Sequence, residues 1–276
     1  MSVAMGRAAA HGRTPVTTFS DPTAFVLLPA EARARVERFR AGPPLPGLRP
    51  RLAWGYLDRL SHVMVARTVE IDEVIRAAAA PQLVILGAGL DGRAWRMREL
   101  SDVVVFEVDH PDSQAEKRRG LAALTQTARD VRFVPVDFSR DDLDRALAAA
   151  GHDPTAATTW VWEGVVMYLT RAEVEATLAV VARRSTPGSR LVIAYHSPAL
   201  MLLVAGFIVR RLGEPLRSVF TADRMRAMLE RHGFRVLRDE GLPAIAAALS
   251  PELGQMTRVM KHFRIVSADR QGEDHA

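Results

Sequence analysis

Between Leu83 and His196 the chain repeats one pattern: a short run dominated by Val, Ile, Leu and Trp, followed by a segment that reads as helix. The runs are QLVILGAG, DVVVFEVD, VRFVPVD, TTWVWEG and SRLVIAYHS, and the segments between them are RAWRMREL, PDSQAEKRRGLAAL, DDLDRALAAAG and TRAEVEATLAVVARRS. A strand with one face in water would alternate apolar and polar residues, whereas near-continuous apolar runs fit parallel strands covered on both faces. Parallel neighbours need long crossovers, so the alternation points to a doubly wound α/β sheet. TADRMRAMLERHGFRVLRDE supplies a further helix and strand and MKHFRIVSAD a last strand, for seven mostly parallel strands in all.

Before Leu83 the chain changes character. EARARVERFR and LDRLSHVMVARTVEIDEVIRAAAA read as helices separated by the Pro/Gly-rich linker AGPPLPGLRP, and they are expected to cap the carboxyl edge of the sheet. The first residues, MSVAMGRAAAHGRTPVTTFSDPT, lack the apolar core of a signal peptide and read as a mobile arm. The expected division is an arm and helical cap over 1–80 and a sheet domain over 81–276, packed as one structural unit. SPALMLLVAGFIVRRLGEP offers only about a dozen apolar residues before Arg210 and Arg211, too few to span a bilayer, and reads as a buried helix or a lid over a pocket.

A chain of 276 residues, 48% apolar, can bury one large core. Its net charge of +5 and pI near 10.3 come from basic residues scattered along the sequence. That distribution predicts a solvated Arg-rich surface, with neither nucleic acid nor membrane as a partner. With no Cys, disulfides, thiolate metal sites and cysteine nucleophiles are excluded; no metal is expected, and a cytoplasmic location fits.

The chemistry gathers where the strands end. The first run reaches Gly87, Ala88, Gly89 and Gly92 in G-x-G-x-x-G spacing and passes into a helix, as a nucleotide-binding crevice begins. The second run ends in Glu107 and Asp109, the third in Asp137, the fourth in Glu163 before Gly164. Parallel strands put these four acids on one edge. An acid after the second strand can accept both ribose hydroxyls, a feature NAD and S-adenosyl-L-methionine share. Acids at the third and fourth strands are awkward near a pyrophosphate but suit an adenine amino group, an ammonium and a sulfonium, so S-adenosyl-L-methionine is favoured over a nicotinamide cofactor. Simpler roles exist: Asp109 can cap a helix starting at Pro111, Asp137 one starting near Arg140, and Arg67 can pair with Asp72 or Glu70.

VILGAGLDGRAWRM, VFEVDHPDSQAEKR, PVDFSRDDL, WVWEGVVMYLTRAEVEATL and GEPLRSVFTADRMRAMLERHGF, in that order, resemble the leucine carboxyl methyltransferase family of class I S-adenosyl-L-methionine-dependent methyltransferases, especially its bacterial branch of natural-product O-methyltransferases. The resemblance implies a Rossmann-like methyltransferase sheet. It implies Gly87, Ala88 and Gly89 in the cofactor loop, with Arg93 beside them, and Asp109 and His110 at the ribose. It also implies Asp137 and Phe138 at the adenine, Glu163 and Gly164 near the methionyl end, and Arg67 on the cofactor carboxylate. The family usually carries Thr or Ser where Gly92 stands, so a hydroxyl is missing here.

The expected activity is O-methylation of a small secondary metabolite, at a carboxylate or a hydroxyl. Alternatives are protein C-terminal carboxyl methylation, a nicotinamide-dependent oxidoreductase, or a non-catalytic cofactor-binding protein. A carboxylate acceptor is already ionised and needs no base; a hydroxyl would want one, for which His196, Tyr195 and His110 are the candidates. Arg210, Arg211 and Arg217 are placed to meet a carboxylate in a pocket formed by the cap and roughly residues 197–219. Self-association, if any, is expected as a homodimer.

Overall fold

Seven strands form one sheet, in a computed structural model that describes residues 1–43, 47–199 and 217–272. β1 (Gln82–Leu86), β2 (Val104–Asp109), β3 (Asp130–Pro135), β4 (Thr158–Trp162) and β5 (Arg190–His196) are parallel; β7 (Phe263–Arg270) runs antiparallel between β5 and β6 (Phe234–Gly241). The order β3-β2-β1-β4-β5-β7-β6 reverses direction between β1 and β4, and a crevice opens at such a reversal, above the carboxyl ends. Leu86 pairs with Val108 on one side and Trp162 on the other, so the residues that follow all three strands reach the same edge.

Alternate residues of each strand pack opposite layers. Leu83, Ile85, Val105, Val161 and Val192 meet Val63, Met64, Ala66 and Ile71 from the long helix before β1. Val84, Leu86, Phe106, Trp160, Trp162 and Ile193 meet Leu147, Val174 and Leu178 from helices on the other face. Val84, Leu86 and Ile193 are fully buried, and burying such side chains contributes roughly 1.5–3 kcal/mol each.

The helices before the sheet are α1 (Ser2–Ala10), α2 (Thr23–Leu27), α3 (Ala30–Arg40) and α4 (Leu48–Ala78). The arm expected to be mobile is therefore corrected: its first part is the ordered helix α1, buried from Ala4 to Ala10. Small residues make this fit. A Cβ on Gly6 would stand 2.6 Å from Met64 Cγ and 2.9 Å from Leu60 Cγ, so α1 lies closer to α4 than a larger side chain allows. The segment RAWRMREL is shorter than expected: α5 covers only Arg93–Arg96, and a single 3₁₀ turn follows at Arg98–Leu100. The remaining crossover helices are α6 (Pro111–Leu121), α7 (Leu143–Ala149) and α8 (Arg171–Arg183). No helix among the described residues is long and apolar enough to cross a membrane; the segment holding Arg210 and Arg211 lies outside them.

Candidate functional site

The turn after β1 is built on glycine for two reasons. Gly87 and Gly89 have φ of 75° and 47°, the left-handed region, and a Cβ on Gly87 would stand 2.0 Å from Val165 Cγ2. The Gly87 and Ala88 N–H groups donate to the Val108 carbonyl at 2.8 and 3.1 Å, which ties the turn to the end of β2. Asp109, half-buried, accepts from Gly89 N through Oδ2 at 2.5 Å and from His110 N through Oδ1 at 2.6 Å. It is not the cap of α6: His110 Nδ1 takes that place, accepting from Asp112 N at 3.3 Å. Asp137 is not the cap of α7 either, because Asp142 accepts from Arg145 N at 3.1 Å. Asp137 instead accepts from Ser139 Oγ and N, at 2.6 and 2.9 Å, and these bonds hold it below the usual carboxylate range. Asp109, His110, Asp137 and Phe138 line one cavity of about 240 Å³, and Gly87 forms part of its wall.

A second cavity of about 180 Å³ lies on the other side of Gly87, lined among others by Arg7, Arg67, Ala88, Gly89, Asp91, Glu163 and Gly164. Its polar walls belong to a larger cluster. Arg67 directs Nε and Nη2 at Glu163 Oε1, at 2.6 and 2.5 Å. Arg93 spans three acids: Nη1 reaches Glu163 Oε2 at 2.8 Å and also Asp91, and Nε reaches Asp72 Oδ1 at 2.8 Å. Arg96 holds Asp72 Oδ2 at 2.6 Å, and Arg7 faces Asp21 Oδ2 at 3.2 Å.

Four guanidiniums thus meet four carboxylates, with no side chain more than 6% exposed. Isolated charges would be very costly at this depth, and only a balanced, mutually bonded set is tolerable. Burial works against ionisation of Glu163, yet Arg67, Arg93 and Arg7 hold it well below the usual carboxylate range. Arg93 Nη2 has no hydrogen-bond partner among the described residues. The simpler role for Arg67 does not apply: Asp72 is taken by Arg93 and Arg96, and Glu70 meets Arg238 at 2.9 Å.

Two expected members stand elsewhere. Glu107 does not join the crevice acids; one strand residue pair deeper than Asp109, it is bonded through both oxygens to Lys117 Nζ at 2.6 Å. Burial pushes its carboxyl up to about 7 against the pull of Lys117. Tyr195 is removed as a base candidate: it is fully buried, lines neither cavity, donates to Asp239 Oδ2 at 2.7 Å, and burial raises its pKa further. His196, at the end of β5, lines neither cavity; it is stacked on His262 at 5.4 Å between ring centroids, with Phe263 edge-on at 5.0 Å and Arg67 over Phe263 at 5.6 Å. Burial lowers it to about 4, so the ring is neutral near pH 7. Arg217 is exposed at the rim of the larger cavity, while Arg210 and Arg211 lie outside the described residues.

Sequence reading missed Arg7, Asp21, Asp72 as a ligand of two arginines, Asp91 and Arg96. A signal existed for the first, a lone cation inside the apolar stretch SVAMGRAAA. Among the described residues no cluster of three His, Asp or Glu is arranged for a metal ion.

Residues 1–182 match the model of the family described as leucine carboxyl methyltransferase. A protein of Mycobacterium sp. (strain JLS), bearing the name of an S-adenosyl-L-methionine-dependent methyltransferase, is 40% identical over 51% of this chain and 47% of its own length. A protein of the same designation from Mycolicibacterium gilvum (strain PYR-GCK) is 37% identical over 78% of this chain and 70% of its own. The chain thus spans about half the length of the first of these relatives. A crystal structure of a DUF574 family protein from Streptomyces avermitilis shares the fold, with a TM-score of 0.61 at 13% identity over 98% of this chain and 97% of that one.

Proposed function

The chain belongs to the leucine carboxyl methyltransferase family, and from that premise we propose that it binds S-adenosyl-L-methionine and methylates an oxygen of a small molecule, a carboxylate or hydroxyl of a secondary metabolite. The observation that carries the reading is the pair of cavities meeting at Gly87, one with half-exposed acids and an aromatic ring, the other walled by a charge-balanced cluster. That donor set suits a nucleoside on one side and a zwitterionic amino acid on the other. A pyrophosphate carries no positive group to meet Asp91 and Glu163, which line the smaller cavity, whereas a zwitterion offers them an ammonium.

When bound, S-adenosyl-L-methionine supplies an electrophilic methyl carbon on a sulfonium. The chain's part is to grip, align and exclude water. Asp109 would accept the ribose hydroxyls, with His110 beside it, and Asp137 and Phe138 would meet the adenine. Arg67 and Arg7 would hold the carboxylate, Glu163 and Asp91 the ammonium, and Arg93 would keep those two acids in place. For a carboxylate acceptor no proton has to move. For a hydroxyl, His196 is unprotonated at pH 7, but burial that lowers it to about 4 also makes it a weak base, which favours the carboxylate acceptor.

Calorimetry with S-adenosylhomocysteine, NAD and NADP tests the cofactor, with binding of the first alone expected. Tighter binding of a nicotinamide cofactor would sink the reading. Methyl transfer to an acceptor panel containing carboxylates, phenols and a C-terminal leucine peptide tests the acceptor class, and activity confined to the peptide would move the substrate to protein tails.

A further inference from the structure

Gly92 is a glycine without a conformational reason for being one. Its φ of −107° and ψ of 9° are open to other residues, and it ends the cofactor loop without a left-handed turn. The reason lies in a neighbour. A Cβ built on Gly92 would stand 1.7 Å from Thr23 Oγ1 and 2.8 Å from Thr23 Cβ, so the side chain of α2 occupies the space that a residue-92 side chain would need. Both residues are buried, Thr23 at 2% exposure. The hydroxyl delivered there is fixed at its other end, donating to Asp21 Oδ1 at 2.6 Å, and the same oxygen accepts from Ala24 N at 2.9 Å.

The two sides of this contact each carry part of the smaller cavity. On the loop side, Asp91 and Arg93 flank Gly92, and Arg93 N donates to Asp91 Oδ1 at 2.8 Å. On the other side, Asp21 faces Arg7, whose Nη2 donates to the Leu90 carbonyl at 3.0 Å, and α1 walls the cavity with Val3, Ala4 and Arg7. The hydroxyl beside the loop is thus delivered by the N-terminal segment and not by the loop itself.

We propose that Thr23 is a positioning residue for the cofactor: seated in the notch of Gly92, it locks the segment of residues 1–27 to the loop of residues 87–93, so that the wall carrying Arg7 and the wall carrying Asp91 hold one fixed separation. Cofactor affinity then depends on a residue that touches neither cavity. This rests on the cofactor reading of the cavities given above.

The test uses the full chain, S-adenosylhomocysteine as probe, and two readouts: the dissociation constant by calorimetry and the rate of tryptic cleavage after Arg13. Gly92→Ala forces Thr23 out of the notch and is expected to weaken binding by about tenfold or more while cleavage quickens. Thr23→Gly combined with Gly92→Ser exchanges the two sides, and is expected to restore affinity to within about threefold and to slow cleavage again. Thr23→Ser, which keeps the hydroxyl, should bind as wild type, and melting curves establish that each variant is folded. Wild-type affinity and cleavage in Gly92→Ala would overturn the proposal. So would a loss in Gly92→Ala that the exchange fails to recover, since the fault would then lie in the loop alone. A wild-type chain that binds no S-adenosylhomocysteine refutes the cofactor reading instead.

Discussion

Asp109 ends a buried strand and Glu163 follows one, but their surroundings make the consequences of losing them different. Asp109 is half-buried and bonded to two backbone N–H groups. Asp109→Ala should weaken S-adenosylhomocysteine binding by about 1.5–3 kcal/mol, the range for hydrogen bonds to a charged group, and lower stability by only about 1 kcal/mol. Glu163 shares its charge between Arg67 and Arg93. Glu163→Gln keeps the shape but leaves two buried guanidiniums short of a counter-charge, and breaking such a pair costs about 3–5 kcal/mol. Its melting temperature should therefore fall well below that of Asp109→Ala, together with a loss of cofactor affinity; scanning calorimetry and titration of both variants check the order. Asp109, Asp137 and Glu163 were legible in the sequence because an acid directly after an apolar strand has few places to go. Asp72, Asp91, Arg96 and Arg7 were not, because which cation meets which anion inside a buried cluster is set by elements far apart in the chain.

At the scale of elements, α1 is where local pattern carries least and packing most. An apolar stripe marks a helix against a polar background, and this helix has almost none: alanines and glycine bury it on nearly every side, against α4, α2 and α3. Gly6→Leu places a side chain where Met64 and Leu60 already stand, and overpacking of this kind costs about 1–3 kcal/mol. Because α1 also walls the smaller cavity, the same variant should bind S-adenosylhomocysteine more weakly, which titration at a temperature below its melting point checks. The parallel strands and their crossover helices were readable from period alone. The insertion of β7 between β6 and β5 was not, since strand order depends on contacts such as Arg190 with Asp269 at 2.6 Å and Arg264 with Asp239 at 2.9 Å.

Across the whole molecule, buried groups set the response to acid. His152 and His196 titrate ordinarily near 6.5, and burial lowers each to about 4. The unfolded chain therefore takes up protons first, and the stability they contribute is present above pH 6.5 and lost as pH falls toward 4. Glu107 works in the opposite sense: ordinarily near 4.5 and raised to about 7, it contributes stability that is present below 4.5 and lost as pH rises through 7. Two histidines outweigh one such glutamate between these limits, so melting temperature should drop on going from pH 7 to 4.5, and Glu107→Gln should steepen the drop. A series of melts at constant ionic strength decides it; a rising melting temperature would refute the balance. The eight-member cluster beside Gly87 has its own consequence. Four cations against four anions give it no net charge with which to prefer a sulfonium over the neutral thioether left after methyl transfer. If the chain carries out the proposed methyl transfer, the spent cofactor should then compete with fresh cofactor on nearly equal terms, and turnover would be throttled by its own by-product wherever that by-product is not cleared.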